Sequence, residues 1–421
     1  MKRILLRAGK DPFTAFSPEN TLKHDILGTN SGNLIFALSA HKTLSTPNQT
    51  IDHFGYTAKK LIAKEINENY DCLVLPFANA FRISFKKTLN DFTDIISELK
   101  IPVIVLGVGV QASLDYDVSE IDEIKDDVKR FIDAVLKNSK SIGVRGECTA
   151  QYLKYLGYSD SEIDIIGCPS MFFHGDNLNI KEKSLNFSND SKIAFNASPY
   201  VSGIDKIAEN HYKNYKNICY IPQNNIDLEA LLYGEFPKSK KKTNLYNISN
   251  PIYAANKTRF FIDPQPWMNF LSECDFSFGT RIHGNITSLL AGTPCHVLAH
   301  DSRTLELVRY FEIPHTLMSN LSTDIDAKDL FQKSNYTNLM KNHKTRFNTY
   351  KEFLAKHDLE TIFDYENLPQ EYDQQYFSAN LSNAISPLSF TPQEDLVERI
   401  RWLKKDSTAR IKKLTDQIKA K

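Results

Sequence analysis

The residues best suited to chemistry are Arg281 and His283, two positions apart where a short apolar strand gives way to a helix. The strand is predicted over 275–278 and the helix over 282–291. The first N–H groups of a helix are unpaired and its dipole favours negative charge, so anions bind there. A guanidinium recognises phosphate or carboxylate, and an imidazole titrates near neutral pH. The segment predicts a site that handles a small anion with proton transfer; the alternative is a surface arginine beside a core histidine.

Two further arginines follow predicted strands in a similar way. Arg145 ends the strand predicted at 141–144 and precedes a helix, although a surface ion pair is the alternative for this residue. Arg303 lies in the first turn of the helix predicted near 304–311. A cation there opposes the helix dipole, and a bound anion would offset that mismatch. Both positions favour anion binding at the carboxyl ends of parallel strands.

Two other strand ends carry weaker signals. Residues 107–111 (GVGVQ) contain glycines that permit close approach of the backbone, and Gln111 adds an amide. This segment is not a dinucleotide-binding fingerprint. Residues 167–170 (GCPS) have the composition of a turn, and Cys168 has no activating neighbour in the sequence. We interpret the second segment as structural.

The elements that must position these residues follow from apolar runs that alternate with amphipathic stretches. Continuous apolar runs are typical of parallel strands buried on both faces. Strands are predicted at residues 72–77, 102–107, 141–144, 163–166, 192–196, 218–221, 259–262, 275–278 and 294–298. Helices are predicted at residues 89–99, 121–136, 149–156, 266–274, 282–291 and 304–311. This order predicts an α/β protein with two doubly wound, Rossmann-like domains that face a cleft.

The polar segment 177–191 interrupts this rhythm, and we take it as the domain boundary. The N-terminal domain is predicted at 1–176 and the C-terminal domain at 192–320. A helical extension at 321–395 is expected to brace the domains, and a basic amphipathic tail follows at 396–421.

Composition narrows the functional class. The chain of 421 residues has a formal net charge of zero, which argues against nucleic-acid binding. The six cysteines are scattered and indicate neither a disulfide framework nor a zinc site. The N-terminus lacks a signal-peptide pattern, and no run of about 18 apolar residues occurs. We therefore expect a soluble, cytoplasmic protein.

The tail departs from this charge balance, with nine Lys or Arg and three Asp or Glu over 396–421. Its apolar residues recur at helical spacing and form a stripe opposite a basic face. The stripe consists of Leu396, Ile400, Leu403, Ile411, Leu414 and Ile418. Such a helix could lie on the anionic inner face of a membrane, bind a partner helix, or pack its stripe within the protein.

Taken in order, these segments resemble the polysaccharide pyruvyl transferase family. The matching segments are IGVRGE (142–147), IGCPS (166–170), FGTRIHGN (278–285), LAGTP (290–294) and HDSR (300–303). Residues 30–33 (NSGN), before an amphipathic helix, are similar to the family's opening turn. That turn often carries Gly-Asp, so Asn33 departs from the family pattern. The resemblance covers about residues 28–312.

The resemblance implies a glycosyltransferase-B-like fold and transfer of pyruvate from phosphoenolpyruvate to a sugar as a cyclic ketal. The implied acceptor is a cell-surface polysaccharide or its lipid-linked precursor. The family's essential positions fall on His283, Arg145, Arg281 and Arg303. The expected phosphoenolpyruvate site adds Gly279, Thr280 and Asn285 to those four residues. Acceptor contacts are expected from Asn30, Asn33, Asn79 and Gln111, with no cofactor and no cluster of metal ligands.

Two other functions are open. A glycosyltransferase of the same architecture would use a nucleotide sugar and would need an acidic residue for the ribose hydroxyls, with His300-Asp301 as the candidate. A non-catalytic assembly protein could recruit polysaccharide enzymes through the basic tail. The presence of Arg145, Arg281, His283 and Arg303 together argues against this scaffold.

Overall fold

The computed structural model describes residues 1–182, 186–237 and 243–419, so part of the predicted boundary at 177–191 and the end of the tail lie outside the described residues. Its strands are β1 (Lys2–Leu6), β2 (Gln49–His53), β3 (Cys72–Pro76), β4 (Val103–Leu106), β5 (Ile142–Val144), β6 (Ile163–Ile165), β7 (Lys192–Asn196), β8 (Asn217–Tyr220), β9 (Phe276–Gly279), β10 (Cys295–Ala299) and β11 (His315–Leu317). Its α-helices are α1 (Pro18–Lys23), α2 (Gly32–Leu44), α3 (Ala63–Asn69), α4 (Lys86–Ser97), α5 (Lys125–Leu136), α6 (Glu147–Tyr155), α7 (Ile204–Asn214), α8 (Asn225–Tyr233), α9 (Pro251–Ala254), α10 (Pro264–Ser272), α11 (Ile282–Leu290), α12 (Ser302–Phe311), α13 (Ala327–Lys333), α14 (Thr337–Lys356), α15 (Leu368–Ser378) and α16 (Gln393–Lys419).

Two parallel sheets form the framework. In the first half the strand order is β2-β1-β3-β4, and a parallel bridge between Val108 and Val144 brings the β5-β6 pair alongside. In the second half the order is β11-β10-β9-β7-β8. Because the strands are parallel, their carboxyl ends meet at one edge of each sheet. The predicted fold class is confirmed: two α/β units of the glycosyltransferase-B type face a cleft and are followed by a helical C-terminal region.

One predicted strand is wrong, because residues 259–262 form isolated bridges rather than a strand. Phe260 pairs in an antiparallel bridge with Ile385, and Thr258 bridges Tyr220. The segment is buried, which accounts for its apolar composition without any extended pairing. An apolar run of this length reports burial, and periodicity alone cannot assign it to a strand.

Helix α2 lies between the two halves of the molecule. The sequence predicts an amphipathic helix here, but every residue of α2 except Asn33 is buried. The helix contacts β2 and β3 in the first half and α10 and α11 in the second half. Leu106 of the first half and Leu289 of the second belong to the same hydrophobic cluster as Phe36 of α2. A shared core therefore surrounds this helix.

The C-terminal helices pack back onto both halves. Phe347 and Tyr350 of α14 lie against Phe172, with ring centroids 5.6 and 5.3 Å apart. In α15, the Tyr376 hydroxyl accepts a hydrogen bond of 3.1 Å from the backbone N–H of Gln265. The α14 contacts reach the first half and the α15 contact reaches the second.

Helix α16 does not pack its apolar stripe. Ile400, Ile411 and Ile418 are 65%, 64% and 75% exposed. The expectation that the tail could pack this stripe within the protein is therefore wrong. In the part of the chain that the structure describes, no helix combines the length and the apolar character needed to cross a membrane.

A buried ion pair joins three parts of the chain. The Lys10 ammonium contacts the Asp263 carboxylate, and both side chains are almost fully buried. The other oxygen of Asp263 accepts a hydrogen bond of 3.0 Å from the backbone N–H of Ser382. Burial raises the pKa of Asp263, and the charge of Lys10 partly offsets that effect. The pair therefore links the first half, the second half and the C-terminal region.

We expect Lys10→Met and Asp263→Asn each to lower the free energy of unfolding by about 3–5 kcal/mol, because each leaves one buried charge without its partner. The double variant should lose clearly less than the sum of the single variants, because it removes both charges. Denaturant titration of the four proteins measures this coupling. Lys216→Met is the matched control, since its pair with Asp190 is exposed and worth about 0–1 kcal/mol. Strictly additive losses in the double variant would contradict the role of the pair.

Candidate active site

A cavity of about 360 Å³ lies between the two halves, lined by residues that follow the strands of both sheets. Five helices begin around it, namely α2, α6, α8, α11 and α12. Residues at or just before their first turns line the cavity: Asn30, Asn33, Arg145, Asn224, Arg281, His283, Arg303 and Thr304. The N–H groups of a helical first turn have no partner within the helix, and the dipole there is positive. The cavity is therefore suited to an anion.

Backbone hydrogen bonds join the two halves along one side of the cavity. The N–H of Ser31 donates to the carbonyl of Gln223 at 2.8 Å, and the N–H of Asn225 donates to the carbonyl of Thr29 at 3.1 Å. These bonds hold the start of α2 beside the start of α8. Strong, directional backbone groups thus fix this side of the cavity.

Helix α12 joins the halves along another side. The Ser302 hydroxyl accepts a hydrogen bond of 2.7 Å from the backbone N–H of Ala112. Glu306 accepts bonds from the backbone N–H of Thr149 at 2.7 Å and from its hydroxyl at 3.0 Å. Burial raises the pKa of Glu306 to about 7, although these bonds act in the opposite direction. The start of α6, next to Arg145, is thereby tied to the start of α12.

The turn between β9 and α11 is held by a network of buried side chains. Gly279 has a φ of 147°, and a Cβ at this position would lie 1.7 Å from the carbonyl oxygen of Asn196. The Asn285 amide donates to the carbonyls of Gly279 and Arg281, both at 3.1 Å. The Thr280 hydroxyl accepts a bond of 2.7 Å from the N–H of Ser198. Only glycine fits this close approach, so the motif requires Gly279 for the shape of the turn.

The guanidinium of Arg281 is oriented by neutral acceptors. It donates to the carbonyl of Ala197 at 3.2 Å and to the side-chain oxygen of Asn224 at 2.7 Å. Its backbone N–H donates to the side-chain oxygen of Asn196 at 2.9 Å. Because these partners carry no charge, the positive charge of Arg281 stays available to a ligand.

His283 lies where the second half meets α2. A Cβ on Gly32 would lie 2.8 Å from the Cβ of His283, which explains the glycine in the NSGN turn. The imidazole stacks on Phe36 with ring centroids 6.1 Å apart, and its Nε2 is 3.6 Å from the sulfur of Cys168. Desolvation, together with the charges of Arg145 and Arg303, lowers the pKa of His283 to about 3. The ring is therefore neutral in the empty cavity at physiological pH.

Arg145 is a buried cation with few partners. It is 2% exposed, so the alternative of a surface ion pair is wrong. Its Nε donates to the carbonyl of Gly107 at 3.3 Å, while its buried Nη2 has no hydrogen-bond partner. Burial lowers the pKa of Arg145, Cys168 and Glu306 act in the opposite direction, and the charge of Arg303 lowers it. An anionic ligand would satisfy both the charge and the open donor.

Arg303 pairs with Asp301 at the start of α12. Its Nε donates to the carboxylate at 2.9 Å. The other oxygen of Asp301 caps the helix by accepting bonds from the N–H and hydroxyl of Thr304, at 3.0 and 2.9 Å. Although burial acts in the opposite direction, Arg303 and His300 lower the pKa of Asp301 to about 2. Asp301 is thus engaged, which leaves it poorly suited to hold ribose hydroxyls.

Asn79 connects two guanidinium groups at the cavity wall. With its amide turned so that the oxygen faces them, it accepts hydrogen bonds of 2.6 Å from both Arg82 and Arg303. Burial, together with the nearby charge of Arg303, lowers the pKa of Arg82 to about 10. Asn79 thus holds two cations side by side at this wall of the cavity.

The charge of the cavity is strongly one-sided. Five arginines line it, together with two histidines: Arg7, Arg82, Arg145, Arg281, Arg303, His283 and His300. No aspartate or glutamate is among the described residues of its lining. A cavity of this composition is expected to attract a ligand with several negative charges.

The structure brings most of the predicted site residues to this cavity. Those in its lining are Arg145, Thr280, Arg281, His283, Arg303, Asn30, Asn33, Asn79 and Gln111. Two predicted residues, Gly279 and Asn285, lie outside the lining, and Asn285 is fully buried. The Asn33 amide donates to the carbonyls of Leu27 and Gly28, at 2.9 and 3.0 Å, and so holds its own turn.

The sequence did not predict several residues of the lining. Arg7 and Arg82 add two charges, and Tyr200, Gln223 and Asn224 add an aromatic ring and two amides. Arg7 follows the unpredicted strand β1, so the strand-end rule would have found it had the strand been recognised. The others lie in loops without a spacing signal.

One group of potential metal ligands corrects the expectation that the chain has none. Asp11, His41 and His53 place one ligand atom each within 4.8 Å of one another. His41 donates or accepts a hydrogen bond of 2.9 Å with the Tyr372 hydroxyl, and desolvation with the neighbouring His53 lowers its pKa to about 3. None of the three residues lines the cavity. No spacing pattern predicts this group, because its members are far apart along the chain.

Several solved structures are similar to this chain over most of its length. MnaA from S. aureus, solved with UDP, is 11% identical over 91% of this chain and 99% of its own, with a TM-score of 0.45. The UDP-GlcNAc 2-epimerase of Methanocaldococcus jannaschii is 12% identical over 89% and 99%, with a TM-score of 0.43. HepE from Anabaena, in complex with UDP-glucose, is 9% identical over 89% and 100%, with a TM-score of 0.43. Among curated proteins, no significant match to the sequence was found.

The family model for polysaccharide pyruvyl transferases matches residues 30–302. The match begins at the turn before α2 and ends at the start of α12, so it contains most of the residues that line the cavity, although Arg7 and Arg303 lie outside it. The chain belongs to the polysaccharide pyruvyl transferase family.

Proposed function

We propose that this protein transfers pyruvate from phosphoenolpyruvate to a sugar and forms a cyclic ketal across two hydroxyl groups. The acceptor is a polysaccharide of the cell surface or its lipid-linked precursor. The observation that carries the proposal is the cavity itself, where five arginines and a desolvated histidine occur without a carboxylate among the described lining residues.

The donor fits this charge pattern. Phosphoenolpyruvate carries a carboxylate and a phosphate, so it presents roughly three negative charges near neutral pH, and planar guanidinium groups recognise both anions. Arg145 has an open buried donor and Arg281 is held only by neutral groups. Together with Arg303 they form the proposed donor site.

His283 is the proposed acid, and the donor itself activates it. In the empty cavity the charges of Arg145 and Arg303, added to desolvation, keep the imidazole neutral. A bound anion offsets those two charges, so the pKa of His283 rises towards neutrality. The imidazole then takes up a proton only when the donor is present. This arrangement couples donor binding to the acid step.

The reaction then follows in two additions. His283 gives its proton to the methylene carbon, which becomes a methyl group, and the adjacent carbon acquires oxocarbenium character. A sugar hydroxyl attacks that carbon and loses its proton. Phosphate leaves with its charge held by arginines and helix N–H groups. Loss of phosphate leaves the carbon with oxocarbenium character again, a second hydroxyl of the sugar attacks it, and the departing phosphate accepts the proton of that hydroxyl as the ketal closes.

The acceptor side is proposed to lie towards Tyr200, Asn30 and Gln111. Tyr200 is 64% exposed at the cavity, and an exposed aromatic ring offers a flat apolar surface for a sugar. Asn30 donates to the side chain of Asn224 across the two halves at 3.3 Å. These groups could orient the two hydroxyls, while the arginine wall holds the donor.

The glycosyltransferase alternative is less well supported by the site. Asp301, its candidate for the ribose hydroxyls, spends one oxygen on capping α12 and the other on Arg303. It does not line the cavity. A binding experiment that includes a nucleotide sugar separates the two functions.

Arginine variants test the donor site. We expect Arg145→Met and Arg303→Met each to weaken phosphoenolpyruvate binding about 10- to 100-fold, the usual effect of losing a hydrogen bond to a charged group. Calorimetric titration measures the affinity, and thermal unfolding verifies that each variant is folded. Arg309→Met is the matched control, because Arg309 is exposed further along α12. Unchanged affinity in both cavity variants, or binding of a nucleotide sugar instead, would contradict the proposal.

Proton uptake tests the role of His283. Because its pKa is expected to rise on donor binding, the wild type should take up a proton fraction that approaches one as pH falls, and His283→Asn should not. Calorimetric titrations in buffers with different ionisation enthalpies give the number of protons taken up on donor binding at each pH. Subtracting the value for His283→Asn from that for the wild type cancels the protons released by the phosphate group. The affinity of the wild type should also rise relative to the variant between about pH 8 and pH 6. Equal proton uptake in both proteins would remove His283 as the acid.

A further inference from the structure

Helix α16 is anchored to the protein through one polar and aromatic face. The Arg399 guanidinium donates to Glu19 at 3.1 Å, and the Trp402 indole N–H donates to the side chain of Asn20 at 3.0 Å. Asp406 pairs with Lys23 at 2.7 Å. These three contacts, all with α1, fix the rotation of α16 about its own axis.

The apolar stripe lies on a different face from these anchors. Successive residues of an α-helix are rotated by about 100°, so the centre of the stripe, near Ile400, is offset by about 100° from the face that carries Arg399, Trp402 and Asp406. Ile400 and Ile411 are 11 residues apart, as are Leu403 and Leu414. About 11 residues make three turns, so these side chains form a straight line along the helix. The anchored orientation leaves this line turned away from the body of the protein.

The second half of the helix has no tertiary support. Every residue from 407 to 418 is exposed, which corresponds to a projection of roughly 18 Å. A helix of this length is marginal in water on its own, since most helical stability in proteins comes from packing of an apolar face. Ile411, Leu414 and Ile418 supply such a face, and they are 64%, 58% and 75% exposed. The exposed apolar face of this half of the helix is therefore suited to bind a surface outside the protein.

Basic residues border the stripe. Lys404 lies next to the stripe, at about 40° from Ile400, and Lys412 lies further round the helix on the same side, at about 120°. Arg410, which pairs with Asp406 at 2.6 Å, lies on the other side at about 80°. All three are exposed. Lysines next to an apolar stripe are suited to a membrane surface, where the apolar side chains enter the acyl-chain boundary and the lysines meet anionic headgroups.

A second copy of the helix fits this pattern less well. Two-stranded coiled coils require an unbroken seven-residue repeat of apolar residues, whereas the seven-residue spacings here, Leu396 to Leu403 and Ile411 to Ile418, are separated by an interruption at Ser407. Lysines beside the stripe would also face each other in a parallel pair. Charge and spacing both favour a lipid surface.

We propose that α16 is a membrane-surface helix that lies on anionic phospholipid, with Ile400, Leu403, Ile411, Leu414 and Ile418 in the interface and the bordering lysines at the headgroups. Because α16 is anchored to α1, binding would also set the orientation of the whole protein on the membrane. This inference does not depend on the proposed reaction.

Vesicle flotation of the full chain tests the proposal. We expect binding to vesicles of roughly one part phosphatidylglycerol to two parts phosphatidylcholine, and much weaker binding to phosphatidylcholine alone. Ile411→Asp/Leu414→Asp should abolish binding. Lys404→Glu/Lys412→Glu should reduce the partition coefficient by at least about 20-fold, because each lysine near an anionic surface contributes about a factor of five. These side chains are exposed, so the fold should survive each change.

Matched controls use the same substitutions elsewhere. Ile62→Asp and Lys59→Glu/Lys60→Glu alter an exposed isoleucine and two exposed lysines near α3, and they should bind vesicles like the wild type. Absence of vesicle binding by the wild type, or equal binding to neutral vesicles, would overturn the proposal.

Sedimentation equilibrium tests whether the stripe binds a second copy of the chain instead. A dimer that Ile411→Asp/Leu414→Asp converts to a monomer would assign the stripe to that second copy. Phosphoenolpyruvate affinity should be unchanged in all tail variants, so failure here leaves the proposed function standing.

Discussion

Arg145 carries a positive charge into the interior of this protein, and much of the active-site architecture serves to keep it there. A buried cation without a carboxylate partner costs several kcal/mol, and Arg145 keeps a buried Nη2 with no acceptor. Arg303 lies close enough to lower its pKa further. Such a group persists only because the surrounding fold supplies the missing stability. A ligand with carboxylate and phosphate groups would recover that cost on binding, and the family assignment is consistent with such a ligand.

Hydrogen bonds and packing join the two halves around the cavity and so hold the buried charge of Arg145 in place. Backbone bonds tie the starts of α2 and α8, and α12 reaches across to α6 through Ser302 and Glu306. Helix α2, buried on nearly every side, fills the space between the sheets. Groups held in place before the ligand arrives need little reorganisation, which is how electrostatic stabilisation works in enzymes. The neutral state of His283 follows from the same crowding of charge.

Strand-end reasoning predicted Arg145, Arg281, His283 and Arg303 because parallel strands deliver their loops to one edge, wherever the residues lie in the sequence. It could not distinguish Arg281, which faces the cavity, from Asn285, whose amide is spent on the turn. That distinction depends on side-chain hydrogen bonds. Strand β2 was not predicted, since its edge position gives the mixed burial of the polar segment QTIDH. Arg82 and Tyr200 reach the cavity from loops, where chain geometry rather than periodicity decides position.

The most direct test of this account is a crystal structure of the protein with phosphoenolpyruvate bound. The account predicts density for the ligand in the cavity, with its carboxylate and phosphate on Arg145, Arg281 and Arg303. The methylene carbon should lie within proton-transfer reach of His283. Phosphoenolpyruvate bound elsewhere, or with its methylene carbon turned away from the imidazole, would contradict the account.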